Sequence, residues 1–345
     1  MSLCRYLSTA VRSSATPVFS EVVKQFSKFS SHDKLLDYSQ RPISHCYPNQ
    51  MIDACSTPVD LIRTASDLHE QLLVRVAHCI NYFQSLPFLP AANPTLLSVH
   101  ERYLKFFENL AQFPKIENDV DEEKFFNLIN LCTQQSQDTI GRLSTGCCDA
   151  RKYFKTYEIM RNFLDNVLRI RLSMRLLTEH YTELHKQLKR NKPNNEWQGA
   201  IQMKFSPANA VQQCVDDVST VCFETYSVVP QIQIEDNFRG TLPYFPSIVE
   251  YILRELIKNS FRAIVESHYV MFGNMHNVKQ YFQENQDEPL CKVLITTDPD
   301  DEHFLIAIQD RGGGIEETDE KLFQYMYSGK LRIVRKFRKN ISWFR

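Results

Sequence analysis

No apolar run in this sequence approaches the ~20 residues that a membrane-spanning helix needs, which excludes a helical transmembrane segment. Charge of one sign is also lacking. Lys and Arg number 40 against 41 Asp and Glu, a formal net charge of −1, so no long-range field draws the chain to nucleic acid or to an anionic membrane. The ten cysteines contain no CxxC pair and no Cys/His spacing of the zinc type. The vicinal Cys147 and Cys148 make a poor disulfide in so large a chain, which points to reduced thiols in a reducing compartment. Internal repeats and low-complexity tracts are absent, and only nine residues of 345 are glycine. What is present, 43% hydrophobic and 12% aromatic residues, suffices for two domains with cores of their own.

The first 31 residues, "MSLCRYLSTAVRSSATPVFSEVVKQFSKFSS", carry Arg5, Arg12, Lys24 and Lys28, are rich in serine and hold Glu21 as their only acid. Leu3, Leu7 and Val11 share one face of a helix with arginines beside it. This pattern predicts a mitochondrial presequence over 1–31, a transit peptide that takes no part in the fold and sends the chain to the mitochondrial matrix.

From about 59 to 190 the pattern is helical. Ile62, Ala65, Leu68, Leu72, Val76, Ile80 and Phe83 recur at spacings of three and four and predict one long helix ending near Pro87. Leu96, Val99, Tyr103, Phe106 and Leu110 predict a second, closed by Pro114. Phe125, Leu128, Ile129, Cys132, Ile140 and Leu143 predict a third, and a fourth runs from about Tyr157 through "FLDNVLRIRLSMRLLTEHYTELHKQL". Four long amphipathic helices with short connections predict a four-helix bundle over 45–195.

The polar stretch "KRNKPNNEWQG" loses this periodicity and collects Pro, Asn and Gly, so it marks a domain boundary. Beyond it, "PQIQIED" alternates as a strand, 246–268 reads as a helix, and "CKVLITTD" and "HFLIAIQD" read as a strand pair about the acidic turn "PDDE". The fold class is therefore α+β, with an α/β second domain over 200–328.

Two stretches of that domain carry chemistry. "ELIKNSFRAIVESH" (255–268) places Glu255 and Asn259 one turn apart on an otherwise apolar helix, where positions i and i+4 project together. A carboxylate beside a carboxamide can accept a hydroxyl proton and ligate a Mg²⁺ ion on a triphosphate. Solvated polar positions on an amphipathic helix would give the same pattern. "IQDRGGGI" (308–315) ends an alternating strand with Asp310 and then three consecutive glycines, which permit positive φ and close approach of a ligand. Asp310 can accept from an adenine amino group. An Asp-x-Gly turn is ordinary on its own. The order helix, strand pair, Asp-x-Gly-x-Gly is far more specific.

That combination resembles the histidine-kinase and gyrase type of ATP-binding (Bergerat) domain, in which one box holds the Glu and Asn and the first glycine box holds the Asp. "RVAHCINYFQSLPF" (75–88), "NPTLLSVHERY" (93–103) and "FLDNVLRIRLSMRLLTEHY" (163–181) resemble the bundle of the mitochondrial 2-oxoacid dehydrogenase kinases, and "EYILRELIKNSFRAIVESH" is similar to the wording of the branched-chain member. The resemblance covers roughly 58–328. It implies a protein serine kinase that uses ATP and Mg²⁺ to phosphorylate and inhibit the branched-chain 2-oxoacid dehydrogenase complex. Glu255 would be the general base, Asn259 the Mg²⁺ ligand and Asp310 the adenine acceptor, with Gly312 and Gly314 shaping the adenine-side loop. A family K⁺ site on backbone oxygens would fall near Leu322, Gln324 and Tyr327. The implied partners are the dehydrogenase subunit, the lipoyl-bearing core and a second copy in a homodimer. Such kinases modify serine, so His78 and His180 are expected to pack rather than to accept phosphate.

The resemblance stops after Ser328. The family continues to a second glycine box of GxGxG type, whereas Gly329 is the only glycine after Gly314 here, and 329–345 forms a basic tail with no acid. Without that box a triphosphate cannot be wrapped in the family manner. This departure makes a family member that docks on the complex without phosphoryl transfer the alternative expectation, with an ATP-binding domain incomplete at its C-terminus.

Overall fold

The computed structural model describes residues 32–45, 48–53, 58–189, 196–285, 288–297, 303–315 and 319–325. The expected presequence (1–31), the basic tail (329–345), Tyr327 and the whole "PDDE" turn lie outside the described residues. In chain order the elements are α1 (His32–Gln40), α2 (Pro48–Asp53), α3 (Pro58–Gln84), α4 (Phe88–Ala91), α5 (Pro94–Ala111), α6 (Asp119–Gln135), α7 (Thr139–Ala150) and α8 (Tyr157–Lys189), then β1 (Trp197–Gln198), β2 (Ile201–Phe205), α9 (Pro207–Tyr226), β3 (Ile232–Asp236), β4 (Leu242–Tyr244), α10 (Pro246–Phe272), α11 (Met275–Glu284), β5 (Cys291–Thr297), β6 (Phe304–Asp310) and α12 (Asp319–Leu322). The fold is α+β, and no described helix is long and apolar enough to cross a membrane.

The described chain divides into two compact units, one of residues 32–45 with 62–178, the other of 48–53 and 58–61 with 179–325. In the first unit the long helices begin where their caps dictate. Asn93 accepts from the amides of Thr95 and Leu96 at 3.0 and 3.1 Å with Pro94 at the first helical position, and Asn118 accepts from Val120 and Asp121 at 3.0 Å each. Each such cap contributes about 1 kcal/mol. The helices bury Leu72, Val76, Ile80, Leu96, Val99, Phe107, Leu110, Phe125, Ile129 and Val167. Phe83 is the hub of the aromatic packing, edge-on to Phe163 at 5.0 Å and stacked on His100 at 5.5 Å. Burial holds His100 neutral, its pKa lowered to about 4.

The single third helix expected over 125–143 is a correction, because it is two helices broken at 136–138. No apolar residue lies between Cys132 and Ile140, so nothing drives that segment to bury a helical face. Asp138 instead stands before α7 and pairs with Arg102 and with Arg142 (2.6 Å), which holds its carboxyl well below the usual carboxylate range. Gly146 lets α7 approach α5, since a Cβ there would lie 2.8 Å from the Leu96 side chain.

The second unit has two three-stranded sheets. One runs β1-β2-β4, all antiparallel, and the other β3-β5-β6, with β3 parallel and β6 antiparallel to β5. The register of the last pair sets Cys291 opposite Asp310 and Thr297 opposite Phe304. Helices α9 and α10 pack on the second sheet through one core that includes Val211, Cys214, Val215, Leu253, Ile257, Phe261, Ile264, Val293 and Ile295. Helix α9 starts at Ser206, whose hydroxyl accepts from the Asn209 amide at 3.3 Å, and α10 ends at Gly273 in the left-handed region (φ 77°). At the other end of the unit, His180 of α8 is buried under the β1–β2 turn. The Ala200 amide donates to its Nδ1 at 3.4 Å, and the Gln187 amide group bonds both the N–H and the C=O of Gly199 at 2.8 and 3.1 Å.

Candidate active site

Helix α10 has two polar-apolar faces with different fates. Leu253, Ile257, Phe261, Ile264 and Val265 are buried against the sheet, while Ile252, Leu256 and Asn259 are exposed and Glu255 is half-buried. The turn after β6 meets this helix one residue beyond Asn259. The Ser260 hydroxyl donates to Asp310 Oδ2 at 3.0 Å, and the Gly312 amide donates to Asp310 Oδ1 at 2.9 Å. Gly312 itself lies against Ala263, where a Cβ would stand 2.5 Å from the alanine Cβ and 2.9 Å from its carbonyl carbon. No side chain fits there. Gly313 and Gly314 follow with φ of 93° and 77°, a conformation that a Cβ disfavours.

The structure thus joins the two predicted stretches, fifty residues apart in sequence, through Ser260 and Ala263 of α10. Asp310 is exposed, and among the described residues each of its oxygens has one donor. A carboxylate can accept about four hydrogen bonds, so these two donors leave it capacity to accept more. Behind it the Cys291 thiol is buried, and its pKa is pushed up to about 12, first by burial and then by the Asp310 charge, so it stays a thiol and does not compete as a nucleophile. Arg311 turns away to pair with Glu288 and bonds the Leu290 carbonyl through its amide at 3.0 Å, which anchors the turn to the start of β5.

Glu255 pairs with Lys258 through Oε1 at 2.5 Å, with side-chain exposures of 45% and 27%. A pair this exposed contributes less than about 1 kcal/mol, so Lys258 does not lock Glu255 away from a reacting group. One turn before, Arg254 is held by Glu250 and Asp217 at 3.1 Å each, which ties this part of α10 to α9. Leu322 ends the short α12 and the Gln324 amide donates to the Lys321 carbonyl at 3.2 Å. Tyr327, the third residue of the expected K⁺ set, lies outside the described residues. His180, as expected, packs: it is buried and edge-on to Phe245 at 6.2 Å, and its pKa is lowered to about 4 by burial.

Ser260 was not singled out by sequence reasoning. Its signal is a hydroxyl at the position where the buried stripe Leu253, Ile257, Ile264 calls for an apolar side chain.

The profile of the mitochondrial branched-chain alpha-ketoacid dehydrogenase kinase matches residues 46–202. Pairwise similarity to individual proteins extends further along the chain. The chain is 26% identical over 283 residues to the mitochondrial pyruvate dehydrogenase (acetyl-transferring) kinase of Arabidopsis thaliana, covering 81% of this chain and 72% of that one. It is 24% identical over 302 residues to kinase 2 of Saccharomyces cerevisiae (85% and 58%), and 26% identical over 278 residues to isozyme 3 of Mus musculus (76% and 62%). The chain thus spans about three fifths to under three quarters of the length of these relatives. A Glu/Asn helix joined to an Asp-x-Gly turn, the branched-chain kinase profile over 46–202 and relatives named as pyruvate dehydrogenase kinases agree: the chain is similar to the 2-oxoacid dehydrogenase kinases, a family of protein kinases.

Proposed function

We propose that this chain is a mitochondrial protein serine kinase that phosphorylates and so inhibits a 2-oxoacid dehydrogenase complex, the branched-chain complex in the first instance. The observation that supports the reading is the joint between α10 and the β6 turn, where Ser260, the residue after Asn259, and the Gly312 amide both donate to Asp310. The residues present fit an adenine nucleotide and a divalent ion. Asp310 offers only acceptors to an exocyclic amine, no side chain can occupy the Gly312 position against Ala263, and Asn259 exposes a carboxamide oxygen of the type that Mg²⁺ takes.

In this reading Mg-ATP supplies the transferable phosphoryl group together with the cation that offsets its charge. Asp310 orients the base. Asn259 holds the metal with its side-chain oxygen. Glu255 takes the proton of the substrate serine hydroxyl, and Lys258 beside it keeps a positive charge near the carboxylate when no proton is bound. The match of 46–202 to the branched-chain kinase favours the branched-chain complex, with its dehydrogenase subunit and lipoyl-bearing core as partners. The names of the relatives favour the pyruvate complex as the second reading.

Purified chain incubated with Mg-ATP and, separately, each dehydrogenase subunit tests both. The expected result is serine phosphorylation of the branched-chain subunit that Glu255→Gln reduces by roughly 10²-fold or more, the scale of a lost general base. Transfer only to the pyruvate subunit would replace the substrate assignment. Transfer to neither, with nucleotide still bound, would overturn the kinase reading.

A further inference from the structure

We infer that Ser260 is a positioning residue that makes the site selective for a purine carrying an exocyclic 6-amino group. The inference rests on the nucleotide reading above and adds a residue to it. An aspartate carboxylate turns about a soft terminal torsion, broad and roughly two-fold, so its backbone position alone does not aim its oxygens. Here each oxygen has one donor: Gly312 N–H at 2.9 Å on Oδ1, and Ser260 O–H at 3.0 Å on Oδ2. Gly312 is two residues away on the same turn and moves with Asp310. Ser260 belongs to α10, is buried to 7% exposure, and is the anchor that ties the carboxylate to the helix bearing Asn259.

The chemistry of selectivity follows. A carboxylate with both oxygens anchored presents acceptors to the incoming base edge. The 6-amino group of adenine donates to them, whereas a 6-oxo purine would place its carbonyl oxygen against them, and an acceptor facing an acceptor leaves a desolvated group unpaired. Loss of the Ser260 anchor frees the carboxylate to turn, which weakens the reward for the amine and relaxes the repulsion of the carbonyl together. A merely structural serine would change the binding of both bases alike.

The test is calorimetric titration of Mg-ATP and Mg-ITP, whose hypoxanthine has a 6-oxo group, into full-length wild type and Ser260→Ala, with thermal melting of both proteins. Alanine is the best helix former, so the variant is expected to melt within a few degrees of wild type. The expected result is a preference for ATP in wild type, and in S260A a loss of ATP affinity of roughly 3- to 10-fold, the range of one hydrogen bond, with ITP unchanged or improved. An unchanged ATP-to-ITP ratio, whether neither affinity falls or both fall together, would overturn the role of Ser260 and leave the nucleotide site standing. Equal binding of ATP and ITP by wild type would overturn it too. Wild type binding neither nucleotide would overturn the nucleotide reading itself, and Ser260 with it.

Discussion

The unit of 62–178 and the α10–β6 joint of the other unit use burial in opposite ways. In the unit of 62–178 the polar groups that enter the core are neutralised or paired off for packing: His100 stacks on Phe83 with its pKa lowered to about 4, and Arg75 bonds Ser173 Oγ at 3.1 Å and the Ser44 carbonyl at 2.8 Å. At the α10–β6 joint, the candidate groups Glu255, Asn259 and Asp310 lie at or near the surface, while Ser260, whose hydroxyl bonds Asp310, is buried; elsewhere the same unit buries His180 for packing. Depth therefore separates the roles: a deep polar group in the bundle serves packing, and a shallow one held by a deep anchor is available to a ligand.

The largest effect that would break this contrast is in the bundle. Phe83→Ala removes a ring in contact with three aromatic partners at 5.0 to 5.9 Å, and chemical denaturation should show a loss of about 3–5 kcal/mol with the affinity for nucleotide retained. Next is pH. His180 has its folded pKa lowered to about 4 by burial, against an ordinary 6.5, so between those limits the unfolded chain takes up a proton that the folded chain refuses. Stability from this group is full above pH 6.5 and is lost as pH falls toward 4, by at most about 3 kcal/mol. Urea titrations at pH 7, 5.5 and 4.5 should show a shallower fall in His180→Gln than in wild type.

A smaller, opposed pair of effects comes from two glycines of α7. Gly146→Ala sets a methyl 2.8 Å from Leu96 and should cost about 1–3 kcal/mol. Gly141 has no atom within 4 Å of such a methyl, and G141A should be neutral or stabilising by up to about 1 kcal/mol, as melting of the two variants side by side would reveal. Gly312→Ala sharpens the comparison from the other unit. The same methyl there would press on Ala263 and disturb Asp310, so nucleotide affinity should fall well before the melting temperature does.

Strong apolar stripes made much of the fold legible from sequence. The faces of α3, α5 and α8 and the alternation of β3, β5 and β6 appear where the periodicity puts them. The break at 136–138 falls in a gap without apolar residues, which periodicity alone bridges as readily as it ends. Helix α9 escaped because its buried face is built of small residues, Ala210, Val211, Cys214, Val215 and Cys222, whose stripe is weak. The β1–β2 hairpin is too short and polar to signal itself, and its turn is fixed by His180 and Gln187 from α8, a contact that local pattern does not encode. Within the candidate site, Glu255, Asn259 and Asp310 stand out in the sequence because polar groups there interrupt apolar periods. Ser260 was not, because a small hydroxyl inside a buried stripe reads as filler until the strand it faces is known.

The central claim is that Asn259 and Asp310 belong to one nucleotide site. Titration of Mg-ATP into the full-length chain and into Asn259→Ala and Asp310→Ala tests it most directly. The account predicts binding by wild type, and a loss of roughly 10- to 100-fold in each variant, the scale of a hydrogen bond to a charged group, with both variants folded by thermal melting. Wild-type affinity in both folded variants, or no binding by wild type, would contradict it.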